Sequence, residues 1–430
     1  MKQEFVLKGD ICFNDSPDHL KGIENGYLVC KDGICRGAFE ELPPKFADLP
    51  LYDYSGKLIF PGLVDLHIHA PQFSFRGTAM DLELLDWLNR YTFPEEAKFS
   101  DEEYADRAYS IFADCMKRSA TTRACIFATK HREATRILMQ KMEESGLISY
   151  VGKVNMDRES IPELQEKSFL DSAFNTFGWI NDNIGKYKRT FPILTPRFIP
   201  SCSDDLMQEL CEIQKAYDLP LQSHLSENPG EVEWVKELCP ESYFYGDAYD
   251  RWGLFGGSVK TVMAHCIYST EEEIQLMKER GVFVAHCPTS NINLSSGIAP
   301  IRKYLDLGIR VGLGSDVAGG HTESMFRAIT DAVMASKMYW RTINDACRPL
   351  SFAEAMYLAT EGGGAFFGKA GAFREGYAFD AVVLDDSSAE TPLRQSVCER
   401  MEKAAYLGLD AVGITAKFVD GDMVFGDRKR

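Results

Sequence analysis

The stretch Pro61-Gly62-Leu63-Val64-Asp65-Leu66-His67-Ile68-His69 is an apolar run that ends in two histidines one residue apart. Its length and composition read as a strand buried on both faces, as strands of parallel sheets are. Seven more runs of this kind follow, at 121–128, 148–155, 193–199, 219–224, 261–265, 282–286 and 309–314. Helix-like segments lie between several of them. Residues 101–119 carry helical periodicity behind Ser100 as N-cap, and 229–238 open on Pro229. Thr270 precedes 271–280, with Glu273 placed for a capping box and Gly281 as the stop. Eight strands alternating with helices predict an α/β chain folded as a closed (β/α)8 TIM-like barrel rather than an open doubly wound sheet. No glycine-rich phosphate loop follows the first strand, which argues against dinucleotide binding.

The two ends of the chain differ from this pattern. Residues 1–60 read as short strands broken by turns, with Asp32-Gly33 as a hairpin signal. Residues 376–430 return to the same style, in Ala381-Val382-Val383-Leu384 and Ala416-Lys417-Phe418-Val419. The expectation is a small β-sandwich domain formed from both chain ends, around a barrel spanning 61–375. The segment 71–99 is long for a strand-to-helix connection and is expected to cover the barrel mouth as a lid.

Composition narrows the class of partner. A formal net charge of −17 over 430 residues repels nucleic acid and anionic membranes, so neither is expected, while a small neutral substrate meets no such barrier. The opening residues MKQEFVLKGD lack the apolar core of a secretory signal, and no apolar run approaches membrane-spanning length. Twelve scattered cysteines without paired short spacing read as small buried hydrophobes in a reducing, cytoplasmic setting.

Five of the eight histidines end predicted strands: His67 and His69 the first, His224 the fifth, His265 the sixth and His286 the seventh. Asp316 follows the eighth. That end of a barrel is where active sites assemble. Residues i and i+2 of a strand share a face, so His67 and His69 can grip one ion together. Alone, H-x-H is more often a structural pair than a metal site. With His224 and Asp316 it makes a three-nitrogen, one-carboxylate set that leaves a position for water. His286 reads as a satisfied structural histidine and His19 as a solvated one. His131-Arg132-Glu133 and His321-Thr322-Glu323 match H-x-E, but the P-C-x-x-C partner of the cytidine-deaminase signature is absent.

Residues 61–69 resemble the first-strand signature of the amidohydrolase superfamily. Narrower stretches are similar to its guanine deaminase family: Ala70-Pro71-Gln72-Phe73-Ser74-Phe75-Arg76-Gly77, Asp81 to Leu88, Tyr91-Thr92-Phe93-Pro94, Thr195-Pro196-Arg197-Phe198, His224-Leu225-Ser226-Glu227, and Gly314 to Gly320. The resemblance runs from about residue 55 to the C-terminus. It implies hydrolysis of the 2-amino group of guanine to xanthine and ammonia, and a homodimer. It implies one Zn²⁺ per chain, with Fe²⁺ as the alternative, on His67, His69, His224 and Asp316. Glu227 is then the proton shuttle, His265 assists the water, and Gln72, Arg197 and Phe198 line the base pocket beside His224, Glu227 and Asp316.

The residue types suit that chemistry. A bound divalent ion makes water a nucleophile near neutral pH. Asp316 can accept a proton from it, and Glu227, three residues beyond His224, lies in the loop above the strand end, where a carboxyl can carry protons. Arg197 can donate in a fork to guanine O6. Phe198 reads as a stacking wall or as core, and Trp87, on a Leu82, Leu85, Leu88 face, as core. Three other readings compete: a related deaminase of cytosine, a triazine or an adenosine derivative; a binuclear hydrolase, which would need a lysine on strand four where Arg197 stands; and a non-catalytic protein retaining the fold.

Overall fold

The computed structural model describes residues 4–427; the outermost residues of both terminal segments, 1–3 and 428–430, lie outside them. The chain begins with β1 (Phe5–Ser16), β2 (His19–Lys31), β3 (Ile34–Phe39) and β4 (Leu51–Pro61). It then runs through β5 (Leu63–His69), β6 (Thr121–Phe127), β7 (Ile148–Gly152), β8 (Val154–Asn155), β9 (Thr190–Pro192), β10 (Thr195–Pro196), β11 (Leu221–Leu225), β12 (Thr261–His265), β13 (Phe283–His286) and β14 (Arg310–Leu313). It ends with β15 (Ala381–Leu384), β16 (Ile414–Val419) and β17 (Asp422–Gly426).

The middle strands form two parallel four-stranded sheets, β5-β6-β7-β9 and β11-β12-β13-β14, with β8 and β10 as a short parallel pair. A parallel bridge from Leu194 to Leu221 joins the sheets on one side. On the other, Asp316 N–H donates to the His67 carbonyl (2.8 Å) and His69 N–H to the Val317 carbonyl (3.1 Å). The result is a TIM-barrel-like α/β array. Every residue of β5 and β6 is buried, as strands covered on both faces must be. The fourth expected strand, 193–199, is mostly irregular: Thr195–Pro196 is its one strand, beside the Leu194 bridge, and Pro196 removes a ladder donor.

Helix ends follow the sequence with two differences. Glu102–Arg118 is capped by Asp101, whose carboxylate accepts from the N–H groups of Glu103 and Tyr104, rather than by Ser100. Thr270 caps Glu271–Arg280 and Gly281 stops it in the left-handed region. The reciprocal half of that capping box is missing, because Glu273 instead accepts from Gly246 N–H (2.6 Å) and Ser226 Oγ (2.9 Å). Pro229–Leu238 carries a complete box of Asn228 and Glu231.

The terminal strands form one continuous sheet, β17-β16-β15-β4-β1-β2-β3, instead of two facing sheets. Register shifts between Gly9 and Ile11 and between Asn14 and Ser16 add twist. The sheet curls until the β2–β3 turn meets the β16–β17 turn: a Cβ on Gly421 would lie 2.7 Å from the Gly33 Cα. One apolar core, with Phe5, Leu28, Phe379 and Phe418, fills the curl. Nine of the twelve cysteines are buried. No helix among the described residues is long and apolar enough to cross a membrane.

Two buried cations tie the sheet to the parallel array. Arg123 on β6 makes a forked ion pair with Asp380 (2.6 and 3.2 Å) and reaches Asp420 (2.6 Å). Lys417 on β16, fully buried, donates to the carbonyls of Met116 (2.8 Å), Ser119 (2.9 Å) and Thr121 (2.8 Å). Its ammonium thereby caps the carbonyl end of Glu102–Arg118, where the helix dipole favours a cation. Lys417→Met would take the charged donor from three buried carbonyls, of which that of Met116 keeps the Ser119 hydroxyl, an expected loss of about 3 kcal/mol. Thermal unfolding of the purified variant checks this, and an unchanged midpoint would refute it.

Candidate active site

The ends of β5, β11 and β12 and the turn after β14 converge on one point. His67 and His69 bring their Nε2 atoms to 3.1 Å of each other. His224 Nε2 lies 3.3 Å from that of His69. Asp316 Oδ1 stands 3.2 Å from His67 Nε2 and 3.4 Å from His69 Nε2. All four residues approach because the backbone permits it. A Cβ on Gly314 would sit 2.8 Å from the His67 Cβ, so only glycine lets β14 come so near β5. Beyond the glycine, Ser315 donates to Asp65 through N–H (3.0 Å) and Oγ (2.5 Å), and His67 N–H donates to the same carboxyl (3.1 Å). Asp65 is wholly buried, which pushes its carboxyl up to about 7 against those donors. His265 and Asp316 hold positive φ, 72° and 48°, conformations that carry strain and cluster at functional sites.

The donor set fits a divalent ion. His224 Nδ1 lies 2.6 Å from the Arg197 carbonyl, which can only accept, so Nδ1 carries the proton and Nε2 turns a lone pair to the cluster. Burial lowers the imidazoles of His67, His69 and His224 from their usual range, while Asp316 pulls those of His67 and His69 the other way. Burial opposes ionisation of Asp316, but His67, His265 and His69 together keep it far below the usual carboxylate range. Three imidazole nitrogens and a carboxylate oxygen, ligand-type atoms all, thus stand 3.1 to 3.4 Å from their neighbours in the cluster. Ligands about 2.0–2.1 Å from a shared tetrahedral centre would be spaced by about 3.3 Å.

Glu227 and His265 stand beside this cluster. His265 Nε2 is 3.8 Å from Asp316 Oδ2 and 3.4 Å from Glu227 Oε2, and its Nδ1 is 2.8 Å from Asn291 Oδ1. Glu227 Oε1 accepts from Ser296 Oγ (3.0 Å), which leaves Oε2 free of a hydroxyl partner. Burial pushes the Glu227 carboxyl up to about 7, although His265 pulls it down. A group titrating there can both take and give a proton at neutral pH. The loop is fixed by Glu231, which accepts from the Glu227 N–H (2.9 Å) and from the Tyr245 hydroxyl (2.6 Å).

A narrow cavity opens onto these groups, walled by Gln72, Arg197, Phe198, Trp87 and Leu88. Segment 71–99 supplies much of that wall, as its length suggests. Trp87 is buried against Phe75, with ring centroids 5.5 Å apart, and lines the cavity as well, so it is both core and wall. Leu85, expected on a core face, is 40% exposed. Phe198 faces the cavity and meets Trp234 edge-on at 6.1 Å.

The residues singled out from the sequence thus come together. Four others were not legible there. Glu96 binds both Arg197 and Gln72; Ser296 and Asn291 hold Glu227 and His265; and Phe127, ending β6, packs its ring 4.6 to 4.9 Å from those of His67, His69 and His224. Only Phe127 carried a signal, its place at a strand end. The remaining histidines lie outside the cluster. His286 is buried and held down at about 3, His131 precedes the helix Arg132–Ser145, His321 lies 3.1 Å from Asn293, and exposed His19 pairs with Asp15. Lys153, on the third rather than the fourth expected strand, is bound to Glu166 at 2.7 Å.

Comparison with known proteins gives a consistent picture. The model of the amidohydrolase family matches residues 58–424. A crystal structure of guanine deaminase from C. acetobutylicum with guanine bound superposes with a TM-score of 0.95 at 44% identity, covering 98% of this chain and all of that one. Guanine deaminase of Mus musculus is 41% identical over 386 residues, 87% of this chain and 84% of its own. Guanine deaminase of Escherichia coli is 33% identical over 432 residues, 96% of this chain and 94% of its own.

Proposed function

Because this chain belongs to the amidohydrolase family, we propose that its strand-end cavity hydrolyses the 2-amino group of guanine, releasing xanthine and ammonia. The observation that carries this is the juxtaposition of Glu227 and the contacts joining His67, His69, His224 and Asp316 with a cavity wall holding Arg197 and Gln72. We read the eight parallel segments of 61–375 as a closed (β/α)8 barrel and the segments 1–60 and 376–430 as its small companion domain.

His67, His69, His224 and Asp316 would hold one Zn²⁺. That ion would supply Lewis acidity, which makes water nucleophilic near neutral pH. Water adds to C2 of the purine. Glu227 Oε2, the oxygen not held by Ser296, takes a proton from the water and delivers it to N3, the unprotonated ring nitrogen beside C2. A second transfer through the same oxygen protonates the amine, which leaves as ammonia. His265, its ring set by Asn291, orients the water beside the Asp316 carboxylate. Arg197 donates toward O6, Gln72 meets the amide edge, and Phe198 stacks on the base.

The protein is proposed to act in the cytoplasm on a small molecule and to form a homodimer. Support for the dimer comes from the helix Phe169–Asn183, which turns Leu170, Phe174 (71% exposed) and Phe177 to solvent along one face. Ammonia release from guanine, measured with metal analysis on the same sample, tests the function. Expected are xanthine, ammonia and close to one zinc per chain. Release from another base but not from guanine would overturn the substrate, and two metals per chain the mononuclear site.

A further inference from the structure

Glu96 is 2% exposed, lies 24 residues from Gln72 and 101 from Arg197 in sequence, and touches none of the cluster of His67, His69, His224 and Asp316. Its Oε2 accepts from Arg197 Nη1 (2.6 Å) and its Oε1 from Arg197 Nη2 (3.3 Å) and Gln72 Nε2 (2.9 Å). One buried carboxylate therefore grips both polar walls of the base pocket. We propose that Glu96 is a positioning residue that fixes which hydrogen-bond pattern this pocket accepts, and so makes it select a 6-oxo purine over a 6-amino one; this rests on the guanine reading above.

The argument turns on what a carboxylate can do. It only accepts, so the Gln72 amide must turn its NH2 toward Glu96. The Gln72 Oε1 then accepts from Ala318 N–H (3.1 Å), a group that can only donate. A flipped amide would set oxygen against oxygen at one end and N–H against N–H at the other. Gln72 is thus locked, with one N–H and one oxygen lone pair still available. Arg197 is held as firmly. Two of its five N–H groups go to Glu96, the Phe93 ring lies 5.2 Å from its guanidinium carbon, and at most three N–H groups remain for a ligand. A guanidinium that cannot swing away offers donors at a fixed place. An oxygen at C6 of the base satisfies them, whereas an amine there places donor against donor in a buried site, an arrangement that discriminates strongly. The neighbouring Glu95 has a different occupation: it pairs with Lys98 (2.6 Å) and accepts from the Tyr104 hydroxyl. The two adjacent glutamates are not interchangeable.

The test is Glu96→Gln, which keeps the shape but turns an NH2 toward groups that are themselves donors. Its kinetics are compared with wild type and Glu95→Gln on guanine and on 2,6-diaminopurine, which carries the same leaving amine but an amine at C6. Expected are a rise in KM for guanine of about 30-fold or more with a smaller change in kcat, and a fall of at least about 10-fold in the kcat/KM preference for guanine. Metal content should stay at the wild-type level, Glu95→Gln should keep the preference, and Glu96→Asp should recover part of it. A folded, metal-loaded Glu96→Gln enzyme with wild-type KM and preference would overturn the proposal. So would equal loss on both bases accompanied by loss of metal. If wild type itself released no ammonia from guanine, the substrate reading would fall instead. A crystal structure of Glu96→Gln then decides the positioning role: displaced Arg197 and Gln72 side chains support it, and unmoved ones refute it.

Discussion

Glu227→Gln is expected to lower kcat for guanine by about 10³-fold while leaving the metal in place. The substitution keeps the side chain's shape and the contact its Oε1 makes with Ser296, and Glu227 stands outside the quartet of His67, His69, His224 and Asp316. What disappears is an oxygen that can take a proton and return it. Both halves of the reaction need that oxygen: the water must lose a proton as it adds, and the amine must gain one as it leaves. No neighbour replaces it. Asp316 is held strongly ionised by the surrounding histidines, and Glu231 is committed to two backbone N–H groups and Tyr245. Steady-state kinetics with metal analysis decide the matter; a variant retaining more than about a tenth of wild-type kcat would rule out the shuttle.

Stripping the metal should abolish measurable turnover, and added zinc should restore it. The reason lies in how the four side chains meet. His69 Nε2 has His67 Nε2, His224 Nε2 and Asp316 Oδ1 all within 3.4 Å. These are ligand-type atoms at about the spacing that a shared tetrahedral ion would impose. The same reasoning gives a thermal signature, since an ion that binds only the folded protein raises stability by about 4 kcal/mol when present at a thousand times its dissociation constant. Chelated protein should therefore melt lower, and readdition of zinc should recover both the melting temperature and the activity. His69→Ala should lose activity that zinc does not restore. Full activity in a metal-free sample would refute the assignment.

Much of this was readable in advance, for definite reasons. Parallel strands covered on both sides must be apolar throughout, so β5, β6, β12 and β13 announced themselves as runs, and a histidine ending such a run stood out. β10 was read too long because proline costs a ladder its donors without changing how apolar the run looks. Ser100 and Asp101 both make good caps, and only the backbone path chose between them. Glu96 was illegible for a deeper reason. Acidic residues after Phe93-Pro94 look like charges at a helix start, and nothing local tells that one of the two points inward to partners far along the chain. The expected sandwich became a curled single sheet because bulges, invisible as composition, supplied the bend.

The pairing of β4 with β15 has a consequence for how the molecule comes into being. The two strands lie side by side at the middle of the terminal sheet, yet about 320 residues separate them. A ribosome adding about 5–20 residues per second needs roughly 16–64 s to cover that interval. Throughout it the nascent chain carries an unmatched edge at Leu58, Ile59 and Phe60, the kind of surface that recruits neighbouring chains. The last fifty residues are therefore the ones that end the vulnerable period, and a message truncated before codon 381 yields a product whose edge is never covered.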